Sequence, residues 1–303
     1  MRLPVRRARP EAKAPPTPFI VGVTRSGTTL LRLMLDAHPD LAIPPETHFV
    51  PQLIKTTRKR GITCEEAHAV VTSHRQWGDF DLDSGELMRR YCALPRVEPE
   101  PTVRAFFELY AEREGKPRWG DKTPNYVKRM RQIERTIPEA HFIHMIRDGR
   151  DAALSRFKRL LKEPPPIETV AGRWVKKIER ARADGEQLGH YMEVQYEHLV
   201  RDTEAELRRV CDFIELPWDP AILRYYERAA DRLAEMTRDL PAEEGKPMRP
   251  ADHRKEAHLL TSKPPDPSRL ERWKEELDPE QNATFERVAG GLLDELGYER
   301  AGG

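Results

Sequence analysis

The chain has 303 residues, of which 38% are hydrophobic and 34% are charged, and its 52 basic residues almost balance its 51 acidic ones. This composition can build an apolar core and gives no excess of either charge, so we expect a folded protein without a nucleic-acid partner. Nowhere does an apolar stretch approach the roughly 20 residues that a membrane-spanning helix needs, so no membrane span is expected.

The N-terminal residues 1–17 are basic and rich in Pro but lack the apolar centre of a signal peptide. We interpret them as a flexible tail before a single domain, residues 18–300, and we expect a cytoplasmic protein. The three cysteines, Cys64, Cys92 and Cys211, are far apart and form no C-x-x-C pair. We therefore expect reduced thiols rather than a disulfide or a zinc site.

Predicted strands and helices alternate along the chain. Residues 18–23 are an apolar run that ends in a Gly-containing loop, and apolar residues at helical spacing follow until Pro39. Further predicted strands cover residues 41–46, 140–151 and 192–200, and the segment 117–126 contains a small strand that ends at residues 122–124. Further predicted helices cover residues 62–94, 101–115, 150–161, 204–216 and 271–299. This alternation predicts an α/β fold, with a central parallel sheet flanked by helices on both faces.

Two regions interrupt the alternation. Residues 63–115 are interpreted as a helical insertion. Residues 236–268 are rich in Pro, Lys and acidic residues without clear periodicity, and we interpret them as a mobile segment that covers the substrate or nucleotide.

Four charged residues follow the ends of four predicted strands: Arg25, Glu46, Lys122 and Arg147. The carboxyl ends of parallel strands lie at one edge of a sheet, where ligands bind. We therefore expect three cations and one carboxylate to converge there.

The loop GVTRSGTT, residues 22–29, has the Gly-x-x-x-x-Gly spacing of a phosphate-binding loop, but Thr28 replaces the Lys that should follow Gly27. Such a loop keeps its backbone N–H groups and the helix N-terminus, which bind phosphate, and loses the cation that serves a third phosphate. Arg25 supplies a cation slightly upstream. We favour phosphate binding over a plain turn and expect a P-loop-like three-layer fold.

Two longer stretches, VTRSGTTLLRLMLDAHPDLAIPPETHF and MIRDGRDAALSRFKR, resemble the sulfotransferases that use 3′-phosphoadenosine 5′-phosphosulfate (PAPS). The first is similar to the 5′-phosphosulfate loop of that family and the second to its 3′-phosphate motif. The resemblance is nearest to the tyrosylprotein sulfotransferases and their bacterial relatives. Segments 196–220 and 271–299 also resemble later parts of the family.

The resemblance implies a set of nucleotide ligands. The 5′-phosphosulfate would be held by the loop, the 3′-phosphate by the second motif, and the adenine side by Tyr196, with Lys263 in a loop that closes on the nucleotide. The implied ligands are Arg25, Ser26, Gly27, Thr28, Thr29, Arg147, Ser155, Arg159, Tyr196 and Lys263.

Glu46 matches the catalytic base of the family, and it could serve if partial burial raises its pKa. His48 is the alternative base, because imidazole titrates nearer neutrality. Arg25 and Lys122 would stabilise charge on the transferring sulfuryl group and the leaving phosphate oxygen.

The expected function is transfer of a sulfuryl group from PAPS to a hydroxyl or amine of a small-molecule, lipid or carbohydrate acceptor, with release of 3′-phosphoadenosine 5′-phosphate (PAP). No metal is expected, since fixed cations replace magnesium. The alternatives are a P-loop kinase or nucleotide hydrolase, and a PAP-binding module without catalysis. Assembly as a homodimer is left open.

Overall fold

A computed structural model describes residues 14–160, 164–235, 238–240, 242, 248 and 259–301 of the chain. Residues 1–13 of the predicted tail and most of the segment 236–258 lie outside these ranges. The flexibility of the tail and the covering role of the segment therefore stay predictions. Within the described ranges, no helix is both long enough and apolar enough to cross a membrane.

The secondary structure follows the predicted alternation. The strands are β1 (Thr17–Gly22), β2 (Leu41–Ala42), β3 (Arg118–Trp119), β4 (Asp121–Lys122), β5 (Ala140–Ile146) and β6 (Tyr191–Gln195). The α-helices are α1 (Thr28–Asp36), α2 (Val50–Thr57), α3 (Cys64–Thr72), α4 (Ser84–Ala93), α5 (Pro99–Arg113), α6 (Met130–Glu134), α7 (Gly149–Leu160), α8 (Ile167–Gly185), α9 (Tyr196–Arg201), α10 (Thr203–Phe213), α11 (Tyr226–Ala234), α12 (Trp273–Glu276) and α13 (Pro279–Glu295). Short 3-10 helices cover Trp77–Asp79, Pro124–Lys128, Pro220–Arg224, Leu259–Ser262 and Pro267–Arg269.

The main sheet contains four parallel strands in the order β4-β1-β5-β6. Side chains alternate along β1, so that Phe19 and Val21 pack in a core with α2 to α5, whereas Ile20 packs in a second core with α1 and α10. Both faces of the sheet are therefore covered by helices. The predicted α/β fold with a central parallel sheet is confirmed.

Four predicted strands are shorter in the structure: β5 ends at Ile146, β6 ends at Gln195, and two others are reduced further. Only the first two residues of the segment 41–46 form a strand, because Pro44 and Pro45 have no N–H to donate to a ladder. This strand, β2, pairs with β3 outside the main sheet. The segment 117–126 is divided at Gly120, where a Cβ would lie 2.8 Å from the carbonyl oxygen of Pro18, so the chain there approaches β1 too closely for a side chain.

Five helices of the described structure were not predicted: α2, α6, α8, α9 and α11. Residues 196–200 were predicted to continue β6 but form α9. The 19-residue helix α8 was not predicted, although its apolar spacing would have indicated it. Its buried side is formed by Val170, Ala171, Trp174, Ile178 and Ala181.

A buried ion cluster fixes α11 to α1, the helix that begins at the end of the predicted phosphate-binding loop of residues 22–29. Arg232 on α11 lies 2.6 Å from carboxylate oxygens of Asp36, Glu114 and Glu235. Asp36 is the last residue of α1, and Glu114 directly follows α5. Because each charge has a partner, the cluster fixes the relative positions of three helices.

A disulfide joins Cys64 at the start of α3 to Cys92 near the end of α4, with an S–S distance of 2.06 Å. The prediction that all cysteines are reduced is wrong for this pair. The two helices pack on each other, which brings together residues 28 apart in sequence. Cys211 is a buried free thiol, as expected. Disulfides persist mainly in oxidising compartments, so the cytoplasmic location stays a prediction.

Replacing Cys64 and Cys92 with Ser is expected to lower the free energy of unfolding by about 3 kcal/mol, because the bond closes a long loop in the unfolded chain. Urea denaturation without reductant measures the difference from the unmodified protein. With dithiothreitol the two proteins should unfold at the same urea concentration. Equal stability without reductant would show that the bond does not contribute.

Candidate active site

The loop between β1 and α1 forms a tight turn at the carboxyl edge of the sheet. The N–H and Oγ of Ser26 both donate to the carbonyl oxygen of Val23, at 3.2 and 2.7 Å. Arg25 and Gly27 have φ angles of 74° and 92°. Gly27 lies directly before α1, so the turn presents the positive end of the helix dipole to the edge of the sheet, which suits an anion.

Tyr196, the residue that follows β6, covers this loop. A Cβ on Gly27 would lie only 2.3 Å from Cδ2 of the Tyr196 ring, so the position requires glycine. The centre of the same ring lies 4.5 Å from Cζ of Arg147, in a cation–π contact. Tyr196 thus brings together the two segments that the sequence assigns to the nucleotide.

Arg147 follows β5 and has spare hydrogen-bonding capacity. It donates weakly to Asp151 Oδ2 at 3.4 Å and to the carbonyl oxygen of Arg25 at 3.5 Å. Its Nε is buried and has no hydrogen-bond partner among the described residues. Trp174 fixes the backbone by donating to the Arg147 carbonyl oxygen at 3.1 Å. A partly buried guanidinium with an unused buried donor is suited to an anionic ligand.

Ser155 lies two turns along α7 and faces the phosphate loop. Its Oγ accepts a hydrogen bond from Nε of Arg25 at 3.1 Å. The structure therefore brings Arg25, Arg147 and Ser155 to one place, although they are separated by up to 130 residues.

Glu46 lies between Lys122 and His48. Its Oε1 is 2.7 Å from Nζ of Lys122, and its Oε2 is 2.9 Å from Nε2 of His48. Nζ of Lys122 also donates to Oγ1 of Thr29 at 3.3 Å, which connects this group to the phosphate loop. Both candidate bases and one catalytic cation thus form a single contact group.

The electrostatics of Glu46 differ from expectation. Burial alone would raise its pKa, but the Lys122 ammonium and the contact with His48 outweigh burial and hold the pKa of Glu46 well below its usual range. The raised pKa that would favour Glu46 as a base is therefore not present in this arrangement. Burial also lowers the pKa of Lys122, against the opposing charge of Glu46. Glu46 is therefore ionised at neutral pH.

Two cavities meet at this group. One of about 540 Å³ follows the carboxyl edge of the sheet, and the other, of about 470 Å³, opens at His48. Lys55, Arg58 and Arg129 line the second cavity, and its described lining contains no carboxylate. The first cavity is lined in part by Arg25, Thr28, Glu46, Arg147, Ser155 and Tyr196.

The structure describes less of the surroundings of two further predicted nucleotide ligands, Lys263 and Arg159. Lys263 lines the larger cavity, and its carbonyl oxygen accepts a hydrogen bond from the Tyr225 hydroxyl. Arg159 belongs to α7, but its side chain lies outside the described part of the structure, so its role stays a prediction. Arg269 and Arg272 also line the cavity and were not predicted, because no motif marks them.

A model described as "Sulfotransferase family" matches residues 16–220. The chain belongs to the sulfotransferase family. The matched range contains every candidate site residue named above from the sequence except Lys263. Membership and fold agree with the resemblance found in the sequence.

Sulfotransferases of animals and bacteria are similar to this chain. It is 29% identical to a protein-tyrosine sulfotransferase of Drosophila melanogaster over 220 residues and 30% identical to protein-tyrosine sulfotransferase 1 of Danio rerio over 230 residues. Each alignment covers 70% of this chain but only 40% and 56%, respectively, of the relative. The chain thus spans about half the length of these relatives.

Solved structures match over nearly the whole chain. The sulfotransferase domain from the olefin synthase of Synechococcus PCC 7002 is 25% identical, with a TM-score of 0.63, and the match covers 97% of this chain and 99% of that chain. The sulfotransferase domain from the curacin biosynthetic pathway is 20% identical with the same TM-score, covering 96% of this chain and 100% of that chain, and supports the fold.

Proposed function

We propose that this chain transfers a sulfuryl group from PAPS to a hydroxyl or amine of an acceptor and releases PAP. The observation that carries the proposal is the position of Glu46. The carboxylate lines the larger cavity and contacts His48, which lines the smaller one. A proton acceptor at the junction of a nucleotide cavity and an acceptor cavity is what such a transfer requires.

The larger cavity fits PAPS. Ser26, Gly27, Thr28 and Thr29 would hold the 5′-phosphosulfate at the start of α1, where backbone N–H groups and the helix dipole favour an anion. Arg147, with its unused buried Nε, and Ser155 would hold the 3′-phosphate. When bound there, PAPS supplies the sulfuryl group.

Side chains of the protein would supply proton acceptance and charge stabilisation. Glu46, ionised at neutral pH, accepts the proton of the acceptor hydroxyl. Lys122 and Arg25 would stabilise negative charge, since Lys122 contacts both Glu46 and Thr29, and Arg25 belongs to the phosphate loop itself and donates to Ser155. His48 positions Glu46 through their contact and is the alternative base.

The smaller cavity supports an acceptor that carries negative charge. Its volume of about 470 Å³ suits a small molecule, and Lys55, Arg58 and Arg129 would attract an anionic group beside the acceptor hydroxyl. We propose a small-molecule, lipid or carbohydrate acceptor of this kind. A tyrosine in an acidic peptide is the alternative, because the named relatives are protein-tyrosine sulfotransferases.

Thermal denaturation tests the nucleotide assignment. PAP without magnesium, at a hundred times its Kd, is expected to stabilise the protein by about 2.7 kcal/mol, and ATP with magnesium is expected to have little effect. The reverse result would support the kinase or hydrolase alternative and overturn the proposal.

A screen of acceptors with PAPS, read by mass spectrometry, tests the acceptor. Anionic hydroxyl compounds, their neutral analogues and acidic tyrosine peptides form its three arms. The Lys55→Gln/Arg58→Gln variant should raise KM for anionic acceptors and leave KM for neutral ones unchanged. Equal KM changes for both classes would contradict an anionic acceptor.

A further inference from the structure

A buried hydrogen-bond network lies directly behind Glu46 and Lys122. At its centre is Asp121, which is fully buried on β4 and immediately precedes Lys122. Its Oδ1 accepts hydrogen bonds from the hydroxyls of Thr47 at 2.8 Å and Thr123 at 3.3 Å. These threonines are the chain neighbours of Glu46, His48 and Lys122.

When Asp121 is ionised and can only accept, the hydrogen bonds that lead to it have a single consistent direction. The N–H of Val50 donates to the Tyr126 hydroxyl at 3.1 Å, so the Tyr126 proton is available for Thr47 Oγ1, 2.8 Å away. The Thr47 hydroxyl in turn donates to Asp121. On the second path, the N–H of Thr47 donates to Thr123 Oγ1 at 3.0 Å, and that hydroxyl donates to Asp121. Both paths end on one carboxylate oxygen.

The other oxygen of Asp121, Oδ2, is buried and has no hydrogen-bond partner among the described residues. A buried carboxyl with an unsatisfied oxygen is unfavourable, and packing alone would be served better by an apolar residue. The presence of a carboxyl therefore calls for a role beyond packing.

We propose that Asp121 is a positioning residue for sulfuryl transfer, which orients Glu46, His48 and Lys122 through Thr47 and Thr123 without touching either substrate. This inference rests on the proposed function. Because Thr47 lies between the two candidate bases, loss of its hydroxyl contact would release both at once. Catalysis is sensitive to such displacements, since misplacement by about 1 Å can reduce the rate about 100-fold.

The network also responds to pH. Burial raises the pKa of Asp121 to about 7, although hydrogen bonds from Thr47 and Thr123 and the charges of His48 and Lys122 oppose this change. The titratable groups that face Asp121 are Lys122 on its own strand, His48 on the loop after Glu46, and Tyr126 on the neighbouring 3-10 helix. Above neutral pH the ionised carboxyl helps to keep Lys122 protonated, because opposite charges favour one another's charged forms.

The test compares disruptive with conservative variants. Asp121→Ala and Thr47→Val should lower kcat by about 10- to 100-fold with the Kd for PAP unchanged. Asp121→Asn and Thr47→Ser should retain most of the kcat, because the accepting oxygen and the hydroxyl remain. Asp121→Asn should also lack the step near pH 7 expected in the pH–rate profile of the unmodified protein. The control is Asp184→Ala, which removes another buried carboxylate, 3.0 Å from Nε of Arg180, and should affect thermal stability alone.

Several outcomes would overturn the inference. Unchanged kcat in folded Asp121→Ala would do so, as would an equal fall in kcat in Asp184→Ala. Where Asp121→Ala does not fold, equal kcat in Thr47→Val and Thr47→Ser decides against it. If the unmodified protein transfers no sulfuryl group, the proposed function fails, and a crystal structure of the Thr47→Val variant then tests positioning by itself. The 2.7 Å contact between Glu46 and Lys122 should be lost in that structure. Retention of the contact would reject the inference.

Discussion

Replacing Glu46 with Gln is expected to lower kcat by about 10²- to 10⁴-fold and to leave the Kd for PAP nearly unchanged. Glutamine fills the same space, but its amide cannot accept the proton of an acceptor hydroxyl. Glu46 lines the larger cavity but is not one of the residues assigned to the phosphates, so the nucleotide should still bind. Steady-state kinetics with PAPS and titration calorimetry with PAP measure the two quantities.

The matched control is Glu66→Gln, at an exposed helix cap on α3, which should leave kcat unchanged. His48→Gln separates the two candidate bases, since it should reduce kcat less than Glu46→Gln does. A larger loss in the His48 variant would make His48 the base. Unchanged kcat in Glu46→Gln would reject Glu46 as the base, and a protein that binds PAP but transfers nothing would support the binding-module alternative.

Replacing Arg147 with Met is expected to weaken PAP binding by about 10- to 100-fold, which corresponds to a charge-assisted hydrogen bond of about 1.5–3 kcal/mol. Methionine can still pack against the Tyr196 ring, but it removes the cation–π contact and the buried Nε that has no partner among the described residues. Asp151 would still accept the backbone N–H groups of Glu271 and Trp273, at 3.0 and 2.9 Å, so the surrounding fold should persist.

Titration calorimetry with PAP and with adenosine 5′-phosphate, which lacks the 3′-phosphate, measures this effect. The loss should be confined to PAP. Arg173→Met, at an exposed position on α8, is the control and should bind both ligands as the unmodified protein does. An equal loss for both nucleotides would show that Arg147 does not recognise the 3′-phosphate.

Local sequence patterns were sufficient for the fold class and for much of the candidate site. The apolar runs of β1 and β5 and the helical spacing after Gly27 predicted parallel strands, and the shared carboxyl edge then predicted that Arg25, Glu46, Lys122 and Arg147 would converge. The structure places these four residues around one cavity or in contact with residues that line it.

The features that could not be predicted depend on tertiary contacts. Whether Cys64 meets Cys92 depends on how α3 packs on α4. The direction of the pKa change at Glu46 depends on the competition between burial and the charges of Lys122 and His48. A single sequence gives neither the burial of Glu46 nor its distances to Lys122 and His48. Short strands such as β2 and β3 depend on proline positions and pairing more than on residue preference.

Tyr196 limits which substitutions the proposed nucleotide site can accept. Its ring excludes any side chain at Gly27 and packs against Arg147, although these positions lie far apart in the chain. A larger residue at position 27 or 147 would require a smaller residue at position 196. Such a change would alter both of the proposed phosphate-binding sites together. An engineer who wishes to change which nucleotide this protein accepts should therefore vary positions 27, 147 and 196 as one unit, because single exchanges would damage one end of the site before they could improve the other.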